Sequence, residues 1–138
     1  MEDGKILVVE DQDAMRESLV IAFKDEGYQV EGVASGEEAI QRLNSNNVYD
    51  LVVTDLKMKK VDGLELLKAV KNANSSTEVV LITAYGTIIT AVQAIRDGAY
   101  DYVTKPFRHQ EILRVVKKAI EKKSLKDIKD TRTFKLSY

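Results

Sequence analysis

Short apolar runs alternate with amphipathic stretches along this chain. Residues 5–9 (Lys-Ile-Leu-Val-Val), 50–55 (Asp-Leu-Val-Val-Thr-Asp) and 78–83 (Glu-Val-Val-Leu-Ile-Thr) are brief and rich in β-branched residues. Runs of that length and composition read as strands buried on both faces, as a parallel sheet demands. Residues 28–34 and 99–104 are weaker strands. Between them the apolar spacing turns helical. Residues 12–26 carry Met15, Leu19, Ala22 and Phe23 and stop at Gly27, and residues 88–97 stop at Gly98. Glycine is the favoured residue just past a helix end. Ser35 with Glu38, and Asp62 with Glu65, have capping-box spacing and open two further helices. A last helix starts near His109 and runs at least to Lys122.

Five strand–helix units in alternation predict an α/β fold: a doubly wound parallel sheet with right-handed crossovers and helices on both faces. The 138 residues suit one main domain. We divide them as a domain over 1–121 and a helical extension and tail over 122–138, where Lys becomes dense and apolar residues thin out. The 21 basic and 22 acidic side chains give a net charge of −1, so bulk charge offers no attraction to nucleic acid or anionic membrane. Zero cysteines remove disulfides, thiolate metal sites and cysteine nucleophiles. No signal peptide and no membrane helix are expected, and a cytoplasmic location is the expectation that follows.

The chemistry gathers at the strand ends. The first strand ends in Glu10-Asp11, the third in Asp55, the fourth in Thr83 and the fifth in Thr104-Lys105. Open α/β sheets bind their ligands beyond the carboxyl ends of the strands. Three carboxylates converging there repel one another, and a divalent cation removes that cost. An all-oxygen donor set selects a hard ion such as Mg²⁺. Asp55 then becomes a candidate nucleophile toward a phosphoryl donor. Transfer needs positioning and charge neutralisation above all: Mg²⁺ on one side, Lys105 on the other, and the Thr83 hydroxyl on a phosphoryl oxygen.

Val8-Val9-Glu10-Asp11, Asp55 followed by Met58 and Asp62-Gly63, Thr83-Ala84, and Lys105-Pro106-Phe107 resemble the receiver domain of two-component response regulators. The resemblance spans about residues 4 to 121. It implies a flavodoxin-like (βα)5 sheet of order 2-1-3-4-5 and phosphoryl transfer from a sensor histidine kinase to Asp55. It implies Mg²⁺ held by Asp11, Asp55 and the backbone carbonyl of Lys57, with Glu10 acting through water. Thr83 and Tyr102 correspond to the switch pair, and Lys105-Pro106 to a cis peptide. Tyr85 and Lys57 fall where the family tunes dephosphorylation. The chain departs from the family at Lys59-Lys60, where a proline often follows the methionine. The stretch from Ala84 to Phe107 is most similar to receivers of the nitrogen-regulation type, which precede a sigma-54 activator ATPase.

The expected function is therefore a phosphorylation-controlled receiver that assists its own phosphorylation and dephosphorylation rather than a conventional enzyme. Its output domain is absent from this chain, and homodimerisation is expected through the 88–120 surface. The alternative is a stand-alone regulator that docks a target protein. An aspartyl-phosphate hydrolase would want a second Asp at position 57, which is Lys. A flavin site would place phosphate against Glu10-Asp11-Gln12-Asp13, which repels it. No P-loop or DNA-reading motif is present, so no direct nucleic-acid contact is expected. His109, the sole histidine, reads as a surface residue, and the lysines past residue 121 read as a solvated face.

Overall fold

The computed structural model describes the backbone of residues 4–84 and 88–136 and the side chains of 4–84 and 89–127. Five parallel strands, β1 (Lys5–Val9), β2 (Gln29–Val33), β3 (Leu51–Asp55), β4 (Glu78–Ala84) and β5 (Asp101–Lys105), pair in the order β2-β1-β3-β4-β5. The helices are α1 (Asp13–Asp25), α2 (Gly36–Asn44), α3 (Gly63–Ala73), α4 (Ile88–Arg96) and α5 (His109–Leu136). The flavodoxin-like order expected from the resemblance is the order found.

The central strands read as unbroken apolar runs because they are covered twice. On one face Leu7, Val52, Val79 and Leu81 pack with Ala39, Leu66, Leu67, Val70 and Ala94 from α2, α3 and α4. On the other, Ile6, Val8, Val53, Val80 and Ile82 pack with Leu19 and Phe23 of α1 and with Ile112, Val116 and Ala119 of α5. Each strand's side-chain alternation is thus spent on two cores rather than on a core and solvent.

Local capping follows the sequence closely. Asp62 and Glu65 form a full reciprocal capping box. Ser35 supplies only its own half, accepting from the Glu38 N–H at 3.1 Å. Gly27 and Gly98 take φ of +97° and +112°, the left-handed conformation that ends α1 and α4. The Lys105–Pro106 peptide is cis.

The ends of β5 differ from expectation. β5 begins at Asp101 rather than residue 99, because the Ala99 N–H still bonds back to the Ala94 carbonyl of α4 and the Tyr100 N–H makes the first contact with β4, at the Val79 carbonyl. Lys105, expected beyond that strand, is its last residue. α5, expected to run at least to Lys122, continues to Leu136, so residues 131–136 are helical. Despite that length, no described helix is apolar enough to cross a membrane.

Helix α4 places its small residues inward. Ala91 and Ala94 are fully buried, whereas Ile89 is 87% exposed, Val92 45% and Ile95 39%. The apolar surplus in this helix therefore faces solvent. The side chain of Ile88 lies outside the described residues.

Candidate acidic site at the carboxyl ends of the strands

β1 and β3 are neighbours, with Val9 in register with Thr54. The residues that follow each, Glu10 and Asp55, are therefore delivered side by side. Carboxylate oxygens of Glu10, Asp11 and Asp55 lie within 4.8 Å of one another. Glu10 is fully buried, Asp55 nearly so, and Asp11 is exposed. β4 separates β3 from β5, and from the end of β5 the Lys105 Nζ reaches to 3.3 Å from Asp55 Oδ2 and 3.6 Å from Glu10 Oε1.

One ammonium among three carboxylates leaves the site with excess negative charge. Burial pushes the Asp55 carboxyl above its ordinary pKa even though the Lys105 charge pulls it down. Burial likewise raises Glu10, against the Gln12 N–H that donates to its Oε2 at 2.9 Å. The other oxygen, Glu10 Oε1, is buried with no hydrogen-bond donor. A buried acceptor of this kind ordinarily has a partner. That oxygen, which has the Lys105 ammonium at 3.6 Å but no hydrogen bond, and the crowded all-oxygen donor set both fit a hard divalent cation.

Loop geometry holds Asp55 at the rim. The Leu56 N–H bonds to the Ile82 carbonyl at 2.8 Å, and the Gly63 N–H to the Leu56 carbonyl at 2.8 Å. A Cβ on Gly63 would lie 2.8 Å from both the Asp55 carbonyl oxygen and the Leu56 Cα. The glycine is thus required for the start of α3 to press against the acceptor loop. Lys57 follows in that loop with its side chain exposed.

Thr83 closes the wall on β4. It is buried, is in register with Thr104 of β5, and its Oγ1 donates to the Ala84 carbonyl at 3.1 Å. Tyr102 stands on the same sheet face two residues earlier, in register with Leu81 and half-buried against the α2–α4 core. Tyr85 lies outside the described residues. Lys59 and Lys60 line a cavity of about 330 Å³ that adjoins the site through Asp11, with Ser35 and Met58. His109 is exposed, its Nε2 3.4 Å from Ser18 Oγ, and it stands apart from the carboxylates.

The structure thus brings Glu10, Asp11, Asp55 and Lys105 together, with Thr83 at the end of the intervening strand. Sequence reasoning missed Arg16. Its Nη1 donates to the Glu10 carbonyl at 2.9 Å, and its Nη2 pairs with Asp13 at 2.6 Å. The signal was weak: one arginine six residues after Glu10 on an otherwise ordinary helix.

The sequence profile of the response regulator receiver domain matches residues 6–117. The chain is 37% identical over 123 residues to the regulatory protein AtoC of Escherichia coli, an alignment covering 89% of this chain and 26% of that protein. A crystal structure of NtrX from Brucella abortus in complex with ADP superposes with a TM-score of 0.87 at 33% identity, covering 94% of this chain and 30% of that one. A response regulator receiver domain protein from Clostridium thermocellum superposes with a TM-score of 0.84 at 29% identity, covering 88% of this chain and 98% of that one. The chain spans about a quarter of the length of the first curated relatives it matches.

Proposed function

This chain belongs to the response regulator receiver domain family, and from that premise we propose that Asp55 is its phosphoacceptor, charged by the phosphohistidine of a sensor kinase. As a receiver domain of a two-component response regulator it is a phosphoacceptor module, and receiver domains take Mg²⁺ at an acidic pocket. The observation that carries the reading is the convergence of Glu10, Asp11 and Asp55 within 4.8 Å beside an ammonium 3.3 Å from Asp55.

An Asp55 carboxylate oxygen attacks phosphorus. The P–N bond to the histidine breaks, its electron pair stays on the imidazole, and a P–O bond forms on Asp55. Asp11, Asp55 and the Lys57 carbonyl would hold Mg²⁺, with Glu10 acting through water, and the ion would neutralise charge on the transferring group. Lys105 moves from its place between Asp55 and Glu10 to a phosphoryl oxygen. Thr83 turns its hydroxyl from the Ala84 carbonyl toward another. Tyr102, already half-buried on the same face, follows into the space behind Thr83. A phosphoryl group adds about −1.5 to −2 charge, so the change at Lys105 and Thr83 is electrostatic in origin.

Residues 1–121 are read as the receiver and 122–138 as a helix extension or linker and tail toward an output domain. The likeness to AtoC and NtrX supports an output of the sigma-54 activator type, with the exposed α4 side chains serving a homodimer. The test is intact mass after incubation with a small acyl phosphate, with and without Mg²⁺, for wild type and Asp55→Asn. A single Mg²⁺-dependent phosphoryl adduct, absent from the variant, is expected. Equal uptake by Asp55→Asn would sink the assignment.

A further inference from the structure

Two of the three carboxylates, Glu10 and Asp11, sit on one short connection between β1 and α1. Glu10 is fully buried and its Oε2 is fixed by the Gln12 N–H. Asp11 is exposed, so its direction follows from the peptide it hangs on rather than from packing. The orientation of that peptide is set by the Glu10 carbonyl, which forms the near side of the Glu10–Asp11 unit.

One side chain holds that carbonyl. Arg16 Nη1 donates to it at 2.9 Å, and Nη2 is anchored on Asp13 Oδ1 at 2.6 Å. The arginine is itself seated on β2. A Cβ on Gly32 would lie 3.3 and 3.4 Å from Arg16 Cγ and Cδ, so the bare glycine lets the arginine stem lie flat on the strand. The Arg16 N–H also bonds to the Gln12 carbonyl at 2.9 Å as the first turn of α1 closes. The guanidinium thus spans the connection and ties its beginning to its end. A planar fork with several donors suits this double duty, and a lysine ammonium matches it only in part.

We propose that Arg16 is a positioning residue for the divalent-cation site, fixing the Glu10–Asp11 peptide so that the Asp11 carboxylate is aimed at the ion. The inference rests on the acidic site being the Mg²⁺ site of the proposed function. Arg16 touches neither the ion nor the phosphoryl group. Its effect belongs to metal affinity and not to the transfer step. Partners that orient metal ligands typically change affinity by about 10- to 100-fold when removed.

The experiment is calorimetric titration of the full chain with Mg²⁺, for wild type, Arg16→Met, Arg16→Gln and Arg16→Lys. It is paired with phosphoryl uptake from an acyl phosphate across Mg²⁺ concentrations. Both Arg16→Met and Arg16→Gln are expected to bind Mg²⁺ about tenfold more weakly, yet to reach the wild-type uptake rate at saturating Mg²⁺. Arg16→Lys is expected to recover part of the affinity. A purely structural role would lower the melting temperature without this split. Wild-type Mg²⁺ affinity in either folded variant, or a rate loss that saturating Mg²⁺ does not restore, overturns the inference. A wild-type chain that binds no Mg²⁺ removes the proposed function as well, so the two failures are told apart by the wild-type titration.

Discussion

Lys123 of α5 places its ammonium 3.1 Å from Asp50, the residue that opens the path into β3, and 2.7 Å from Asp127 one helical turn on. The lysine is 7% exposed. Asp50 in turn accepts the Lys5 N–H at 2.8 Å, so the contact joins α5, β1 and β3 at the edge of the sheet away from the acidic site. Nearby, Lys122 and Lys126 approach the buried Glu78 at 3.8 and 2.6 Å. The basic flank expected to be solvated is therefore turned, at these three lysines, onto the sheet. Helix α5 remains bound to the domain at least to Lys126.

Removing the ammonium by Lys123→Met is expected to destabilise the fold by about 2 kcal/mol, because hydrogen bonds to charged groups are lost and Asp50 stays half-buried. Burial alone would lower the Lys123 pKa, but hydrogen bonds to Asp127 and Asp50 outweigh it and hold it above the ordinary lysine value. Its stabilisation is thus present at neutral pH and lost only as pH rises through the elevated folded value. Amide hydrogen exchange over residues 119–127 is the sharper readout. Exchange as slow in Lys123→Met as in wild type would remove the pinning role.

Tyr49 and Glu31 form a second long-range pair with a defined pH window. The Tyr49 hydroxyl donates to Glu31 Oε1 at 2.6 Å, an oxygen that Arg42 also reaches at 2.6 Å. Burial and this hydrogen bond push the tyrosine up to about 12, and the same bond holds Glu31 below its ordinary 4.5. The tyrosine's raised value means its contribution is full below 10.0 and is lost as pH climbs through about 12. The glutamate's lowered value means its contribution is full above 4.5 and is lost as pH falls through the folded value. Tyr49→Phe is expected to cost about 1–2 kcal/mol at neutral pH, with the difference from wild type shrinking at both extremes. Thermal melts of both chains across pH check this, and a pH-independent difference would reject it.

Much of this was legible in the chain because the sheet is parallel. Burial on both faces writes each central strand as an apolar run, and each run ends at a charged or hydroxyl residue at the carboxyl end of the sheet. That is why Glu10, Asp11, Asp55, Thr83 and Lys105 could be picked out by position. Contacts to backbone or across many residues left no such mark. Arg16 works on a carbonyl, which any residue carries. Lys123 meets Asp50 across more than half the chain. The edge strand β5 was misplaced by two residues because Ala99 and Tyr100 are as apolar as a strand, while the Ala99 N–H still serves the turn after α4 and only the Tyr100 N–H reaches β4, at Val79. The end of α5 was unreadable because residues past 121 are mostly polar, and helical propensity alone sets no clear stop there.

Gly63 sits where α3 meets the acceptor loop, and adding one methyl tests that junction. Its Cβ would meet backbone at 2.8 Å on both Asp55 and Leu56. Backbone cannot rotate aside as a side chain does, so Gly63→Ala is expected to lose about 1–3 kcal/mol as overpacking. The loop carries Asp55, so phosphoryl uptake should fall more steeply than stability when measured well below the melting temperature. A control, Gly27→Ala, meets no atom within 4 Å. Its φ of +97° makes it destabilising through backbone strain, but uptake should survive. Equal uptake in the two variants at matched folded fraction would detach Gly63 from the site.

The exposed α4 side chains supply the last prediction. Helix α4 turns Ala91 and Ala94 to the core and leaves Ile89, Val92 and Ile95 in water. Residues 89, 92 and 95 are spaced by three, so they form one stripe along the helix. Leaving an isoleucine 87% exposed forgoes the roughly 1.5–3 kcal/mol its burial would supply. A second copy of the same stripe is the occupant proposed above, and phosphorylation of Asp55 is expected to trigger the pairing. Ile89→Lys should leave the monomer's melting temperature unchanged, because the side chain touches little of its own fold. It should abolish any mass increase seen by sedimentation on phosphorylation, since two ammonium groups would then face each other across an apolar seam. Dimerisation of the phosphorylated Ile89→Lys chain with wild-type affinity would exclude this stripe, and place the contact elsewhere on the surface between residues 88 and 120.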